Sequence, residues 1–282
     1  MRLTSLNIHF VLAALVSSMS LACDDGGDGG DATAGSGNTG NTGNMGGSGG
    51  GSGGGTGGAA PAPVGIVVSD FEAEGEGGVH DGYSEDTARM WKVAWFTYTD
   101  RAENKSDGAM ITPAEAMRFI AVTDAGRGGG YVGNAKGGGF KAWGAGMGFN
   151  FVSPIDPLAA PGSTDLSAFK GVSFWIKANT ATTGTVEIKL VDKQSTPAVR
   201  GGTCVAGMPM ATSVCDDVHT AKAVPSAEWT LVTRRWIDFQ QGGWGMRPFP
   251  APDLAGVIGI QFQVSTVPAF DYSVDDVTLL TE

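Results

Sequence analysis

From residue 64 to the C-terminus, apolar side chains recur in short runs separated by Gly, Pro, Asn and Asp. Three runs alternate cleanly. Val172, Phe174 and Ile176 alternate with Ser173, Trp175 and Lys177; Val186, Ile188 and Leu190 with Glu187 and Lys189; Ile258, Ile260, Phe262 and Val264 with Gln261 and Gln263. Such a period buries one face of a strand and wets the other. Runs at 64–71, 91–98, 117–122, 140–151, 171–178, 185–191, 228–237, 256–264 and 272–280 read as strands. Helical signals are short: Thr112-Pro113-Ala114-Glu115 and 165–169 suffice for a turn each. The pattern predicts an all-β fold, a jelly-roll β-sandwich of two antiparallel sheets with wet outer faces.

The first 60 residues have a different pattern. Arg2 and the apolar stretch 8–16 precede Ser17, Ser18, Ser20 and Ala22. The stretch is too short to span a bilayer and fits a secretory signal over 1–22. Leu21-Ala22-Cys23 resembles the lipobox of bacterial lipoproteins, with Ser20 where an aliphatic residue is usual; an ordinary cleaved signal is the alternative. The expectation is a lipidated Cys23, a membrane partner through that anchor, and a place in the cell envelope at the outer membrane or cell surface. Asp24 would favour the inner membrane under the enterobacterial sorting rule. Residues 23–60 hold 18 of the 46 glycines and almost no apolar side chain, so they read as a disordered tether of roughly 35 Å root-mean-square span. The folding domain is then 61–282, which carries every Trp and Tyr.

Net charge is −11, and the domain keeps 17 Lys and Arg against 25 Asp and Glu, so a nucleic-acid partner is not expected. Three cysteines in an exported chain leave one odd, which acylation of Cys23 would remove. Cys204 and Cys215 then pair as a disulfide. Zinc would need two more soft ligands, with His219 alone nearby, and the CxxC spacing of a redox pair is absent. Gly128, Gly130 and Gly133 fit G-x-G-x-x-G, but Gly137-Gly138-Gly139 follows instead of a helix, so no dinucleotide site is expected. No G-x-S-x-G elbow occurs.

Two constellations carry more chemistry. Asp70 and Glu72 sit on the first strand, Asp275 and Asp276 on the last. Paired carboxylates between strands are costly unless compensated, and Ca²⁺ with oxygen ligands would do so; exposure at strand ends is the alternative. The second constellation is aromatic: Trp95 and Tyr98 with their polar neighbours, Trp143 before Gly144, Trp244 between Gly243 and Gly245, and Trp175 on the wet side of its strand. Flat rings beside hydrogen-bonding groups suit sugar rings, with Gln261 and Gln263 supplying amides; for each ring alone, a core position is the simpler reading.

In order, the chain carries Asp70-Phe71-Glu72, Trp95 to Asp100, Trp143 to Gly146, 165–175, Asp192, Cys215-Asp216-Asp217, Trp229, 242–245 and 274–277. This series resembles exported bacterial proteins, frequent in myxobacteria, whose galactose-binding-like jelly-roll domains are similar to carbohydrate-binding modules of families 11 and 4/9. The resemblance spans nearly all of 66–280. It implies a non-catalytic sandwich, a structural calcium held by Glu72 and one of Asp275 and Asp276, and glycan binding on a concave sheet face or at loop tips. Val218-His219 stands where the group often has an aromatic or His-Phe pair. Non-catalytic polysaccharide binding is the leading reading. A structural or protein-interaction lipoprotein without a small ligand, and a carboxylate-dependent glycan hydrolase, are the alternatives.

Overall fold

The computed structural model describes residues 63–75, 77–100, 108–115, 117–156, 159–205, 215–245 and 249–282. The signal segment, Cys23 and the tether lie outside the described residues. The strands are β1 (Gly65–Ser69), β2 (Ser84–Asp86), β3 (Trp91–Thr99), β4 (Met110–Thr112), β5 (Val122–Thr123), β6 (Tyr131–Gly138), β7 (Ala145–Asn150), β8 (Gly171–Ala178), β9 (Val186–Asp192), β10 (His219–Ala223), β11 (Thr230–Arg235), β12 (Val257–Val264) and β13 (Ala269–Leu280). The only helices among the described residues are three-residue 3₁₀ turns. One sheet runs β11-β8-β13-β6-β4, with β1 added to β13 and β5 to β6; the other runs β10-β9-β12-β7-β3-β2. All strand pairs are antiparallel. This is the all-β sandwich that the alternation predicts.

The core lies between the sheets. Val172, Phe174 and Ile176 of β8 meet Val186, Ile188 and Leu190 of β9 and Ile260 and Phe262 of β12, all without solvent exposure. Each such side chain contributes about 1.5–3 kcal/mol of burial. Tyr272 crosses the core: its hydroxyl donates to the Phe262 carbonyl at 2.6 Å and accepts from the Met147 amide at 3.2 Å, linking the two sheets. Burial raises its phenol well above the ordinary range.

β13 changes neighbour midway. Residues 269–274 pair with β6, and 277–280 pair with β1. The register against β8 shifts between Asp275 and Thr278, and Asp276 has φ +48°. This β-bulge inverts the inward parity, so Val274 and Val277 both face the core.

Two expected strands differ. Of 117–122 only Val122 is in a strand; Phe119 and Ala121 are buried by packing without ladder pairing. Within 140–151 the strand is Ala145–Asn150, preceded by a loop carrying Trp143. The Gly-rich segment at 128–139 contains β6, a central strand. Its Gly133 leaves room for the Phe71 ring: a Cβ there would lie 2.5 Å from that ring. Both short helical signals give a single turn, closed by the Met117 amide on the Ala114 carbonyl and by the Phe169 amide on the Leu166 carbonyl.

Candidate functional site

The outer face of the second sheet follows from register. Tyr98 pairs with Gly146, Gly146 with Gln263, Gln263 with Glu187, and Glu187 with Lys222. The next row is Phe96, Gly148, Gln261, Lys189 and Thr220. Four inter-strand steps of about 4.8 Å make this face roughly 19 Å wide from β3 to β10. Over β9 and β10 it deepens into a groove of about 520 Å³, walled by the chain at 238–244 and by Asp216 and Asp217.

Two buried aspartates shape its loops. The Asp217 carboxylate accepts the amides of Gly242 (2.8 Å), Gly243 (2.8 Å) and Gly245 (2.9 Å). Gly243, at φ +81°, takes a conformation that a side chain would strain. Gln241 adds a hydrogen bond to the Asp217 carbonyl at 2.5 Å. The loop therefore holds Trp244 at the groove with its side chain unshielded, 60% exposed. Asp100, fully buried, plays the same part for the other loop: it accepts the amides of Ala142 (2.8 Å) and Gly144 (3.0 Å), on either side of Trp143. Trp143 is half-buried and stacks on Tyr98, with ring centroids 6.0 Å apart. Both aspartates belong to sequence motifs noted above. The signal that could have assigned them is physical: Gly-rich loops leave amides that need acceptors.

The floor of the groove is charged. Lys189 donates to Gln263 Oε1 at 2.7 Å and lies 4.0 Å from Glu187; Gln263 Nε2 donates to the Trp143 carbonyl at 2.8 Å. Burial pulls the Lys189 ammonium below its ordinary pKa, and Glu187, Asp216 and Asp217 partly restore it. Glycines 146 and 148 keep the neighbouring strip of the face low. A Cβ on Gly148 would meet the Gln261 side chain at 2.8 Å.

The residues singled out as ligand contacts separate into distinct places. Trp244 lines the groove, and Tyr98, Trp143, Gln261 and Gln263 lie on the same sheet face. Trp95 is a correction. Alternation along β3 turns it inward with Trp91 and Val93, where it packs on Phe71 and Phe149 and donates to Ser69 Oγ at 3.0 Å. Gln263 is a second correction: it is 3% exposed, with both ends of its amide engaged, so it positions Lys189 instead of meeting ligand. Tyr98 is also restricted, since its hydroxyl is buried without a hydrogen-bond partner and burial raises its pKa. Trp175 faces outward as its alternation requires, but from the first sheet, so it cannot share a site with Trp244.

The four expected calcium ligands do not converge on one open position. Arg127 Nε donates to Asp275 Oδ2 at 2.7 Å, and its Nη2 pairs with Asp276. The guanidinium also lies 5.0 Å from the Trp175 ring and 5.6 Å from the Trp229 ring. Glu72 Oε1 accepts the Tyr131 amide at 2.8 Å, and Asp70 Oδ1 accepts the Glu72 amide at 3.1 Å. Among the described residues no group of three His, Cys, Asp or Glu side chains is placed to hold a metal. Arg127 sets one positive charge against the two carboxylates of the bulge and so compensates them in part.

Cys204 and Cys215 are joined by a disulfide, S–S 2.02 Å, so neither sulfur is a thiolate available to zinc. His219 is buried beneath the groove, 3.7 Å from Asp192 and 3.2 Å from the Phe249 carbonyl. Burial would raise the Asp192 carboxyl, but contacts from His219, Ser195 and the Asp253 amide outweigh it and hold the pKa low.

No protein-family model and no curated protein matches the chain. Among solved structures it is similar to a family 11 carbohydrate-binding module of a Clostridium thermocellum cellulosomal cellulase: 13% identity, TM-score 0.44, 78% of this chain and 96% of that one. A family 11 module from the same organism, in complex with a mixed-linked tetrasaccharide, gives 14% identity and TM-score 0.41, covering 66% of this chain and 88% of that one. A family 30 module of another cellulase from that organism gives 14% and 0.38, covering 60% and 86%. Likeness at this level does not identify what this chain binds.

Proposed function

We propose that the domain binds carbohydrate non-catalytically through the groove and outer face of the second sheet. The observation that carries this is Trp244: an indole 60% exposed, on a loop whose amides are fixed by a buried aspartate, beside a floor of hydrogen-bonding side chains. Exposing a large ring is unfavourable in a free protein, and fixing it in place reduces the ordering cost of binding. Sugar rings offer an apolar face for the indole and hydroxyls for Lys189, Glu187 and Gln261.

The groove carboxylates favour binding over hydrolysis. Asp217 is occupied by three amides, Asp216 pairs with Arg200, and Asp238 accepts the Arg235 amide. Glu187 remains, and a glycosidase needs two. Isothermal titration of the full chain with polysaccharides tests the reading. Trp244→Ala is expected to weaken binding at least ten-fold, about 1.4 kcal/mol, with the melting temperature unchanged. Equal affinity in that variant would remove the assignment.

The tether belongs to the same proposal on sequence grounds: a lipidated Cys23 would hold the domain off the cell envelope, at the outer membrane or cell surface. Metabolic labelling with a radioactive fatty acid should mark the parent chain and not Cys23→Ser. Label retained in the variant would exclude this anchor.

A further inference from the structure

We infer that Glu187 and Lys189 form a donor–acceptor pair that selects neutral glycans with adjacent free hydroxyls and disfavours acidic ones. This rests on the glycan reading above. The two side chains are i and i+2 on β9, so they share the groove face. They are 23% and 18% exposed, and 4.0 Å apart. That is close enough for charge pairing and too long for a direct hydrogen bond.

Their unused hydrogen-bonding capacity is what points to a ligand. The Lys189 ammonium has three donors, of which Gln263 takes one. Among the described residues, no side chain or amide donates a hydrogen bond to Glu187. Gln263 is held by the Trp143 carbonyl and in turn holds Nζ, so the ammonium is positioned before anything binds. Both groups remain partly exposed to the groove, so water completes their hydrogen bonds until a ligand hydroxyl replaces it.

A hydroxyl both donates and accepts. Of two hydroxyls on neighbouring carbons, one can accept from Lys189 while the other donates to Glu187. Both charges are then satisfied and no new charge is buried. A uronate meets a different field. Glu187, Asp216, Asp217 and Asp238 face Lys189 and Lys222 in the groove lining, and Arg200 pairs with Asp216, so four negative charges stand against three positive, or −1. A carboxylate brought there would add like charge in a partly desolvated place.

Affinity electrophoresis of the full chain separates the possibilities with three probes. A 1,4-linked neutral glucan carries adjacent free hydroxyls on each internal residue. A 1,3-linked glucan carries none there. Polygalacturonate keeps the adjacent pair and adds a carboxylate. The expected result is retardation by the 1,4-linked glucan well beyond the other two. Glu187→Gln and Lys189→Met should each weaken that binding by about ten-fold, the effect of one charge-assisted hydrogen bond. Their melting temperatures serve as the fold control, and the near-isosteric Glu187→Gln keeps the test decisive if Lys189→Met unfolds. Strongest retardation by polygalacturonate or the 1,3-linked glucan would overturn the inference, as would unchanged binding in folded Glu187→Gln. A parent chain retarded by none of the three, nor by mannan, xylan or galactan, would overturn the glycan reading itself.

Discussion

Asp217 shows how one side chain fixes a glycine-rich loop and the exposed indole on it. Its two carboxylate oxygens take three amides, so Trp244 is held by backbone and not by side-chain packing. Asp217→Ala should leave those amides competing for water and cost about 1–3 kcal/mol, with loss of glycan affinity. Chemical denaturation together with titration checks this; a variant that loses stability but keeps affinity would show that Trp244 does not depend on the clamp. Asp275 provides a second prediction. Burial raises its pKa to about 6, with Arg127 opposing the rise. A carboxyl raised above its unfolded value binds more protons in the folded state, so its contribution to stability falls as pH rises from about 4 to about 6. The slope of stability against pH over that window should therefore be less negative in Asp275→Asn. Identical slopes would contradict the burial.

At the level of elements, alternation identified the strands that bury one face, because burial imposes a period of two. It made the outer positions of β8, β9 and β12 legible, including Trp175, Glu187, Lys189 and Gln261. β6 was not legible: three of its eight residues are glycine, and its place in the sheet is set by partners. Trp95 has polar neighbours that suggest a loop, but the inward series Trp91, Val93, Trp95 decides its place. The cation at the β13 bulge was invisible for another reason. Arg127 ends a 3₁₀ turn 148 residues before Asp275, and no local pattern records that pairing. If Arg127 takes the role expected of calcium, chelation should leave the melting temperature unchanged. Arg127→Met should lower stability by about 3 kcal/mol, the usual consequence of stranding a buried carboxylate. A fall of several degrees in EDTA would restore a metal.

For the whole molecule, the two outer faces differ in how far their aromatic and charged groups satisfy one another. On the first sheet, Arg127 and Lys177 cover Trp175 and Trp229, and Asp124, Asp275 and Asp276 pair with those cations, so aromatic and charged groups satisfy one another. On the second, Trp244, Glu187 and Lys189 keep capacity to spare. The disulfide ends one residue before Asp216, next to the clamp on the Trp244 loop. Its reduction should cost about 3 kcal/mol and also weaken glycan binding. Unaltered affinity in the reduced, folded protein would separate the two.

The most direct test of the account compares the two faces. The full chain, Trp244→Ala and Trp175→Leu, each shown to be folded, are run through gels containing neutral polysaccharide. The parent and Trp175→Leu should be retarded alike, while Trp244→Ala migrates as in a blank gel. Retardation kept by Trp244→Ala and lost by Trp175→Leu would place binding on the first sheet and contradict the groove.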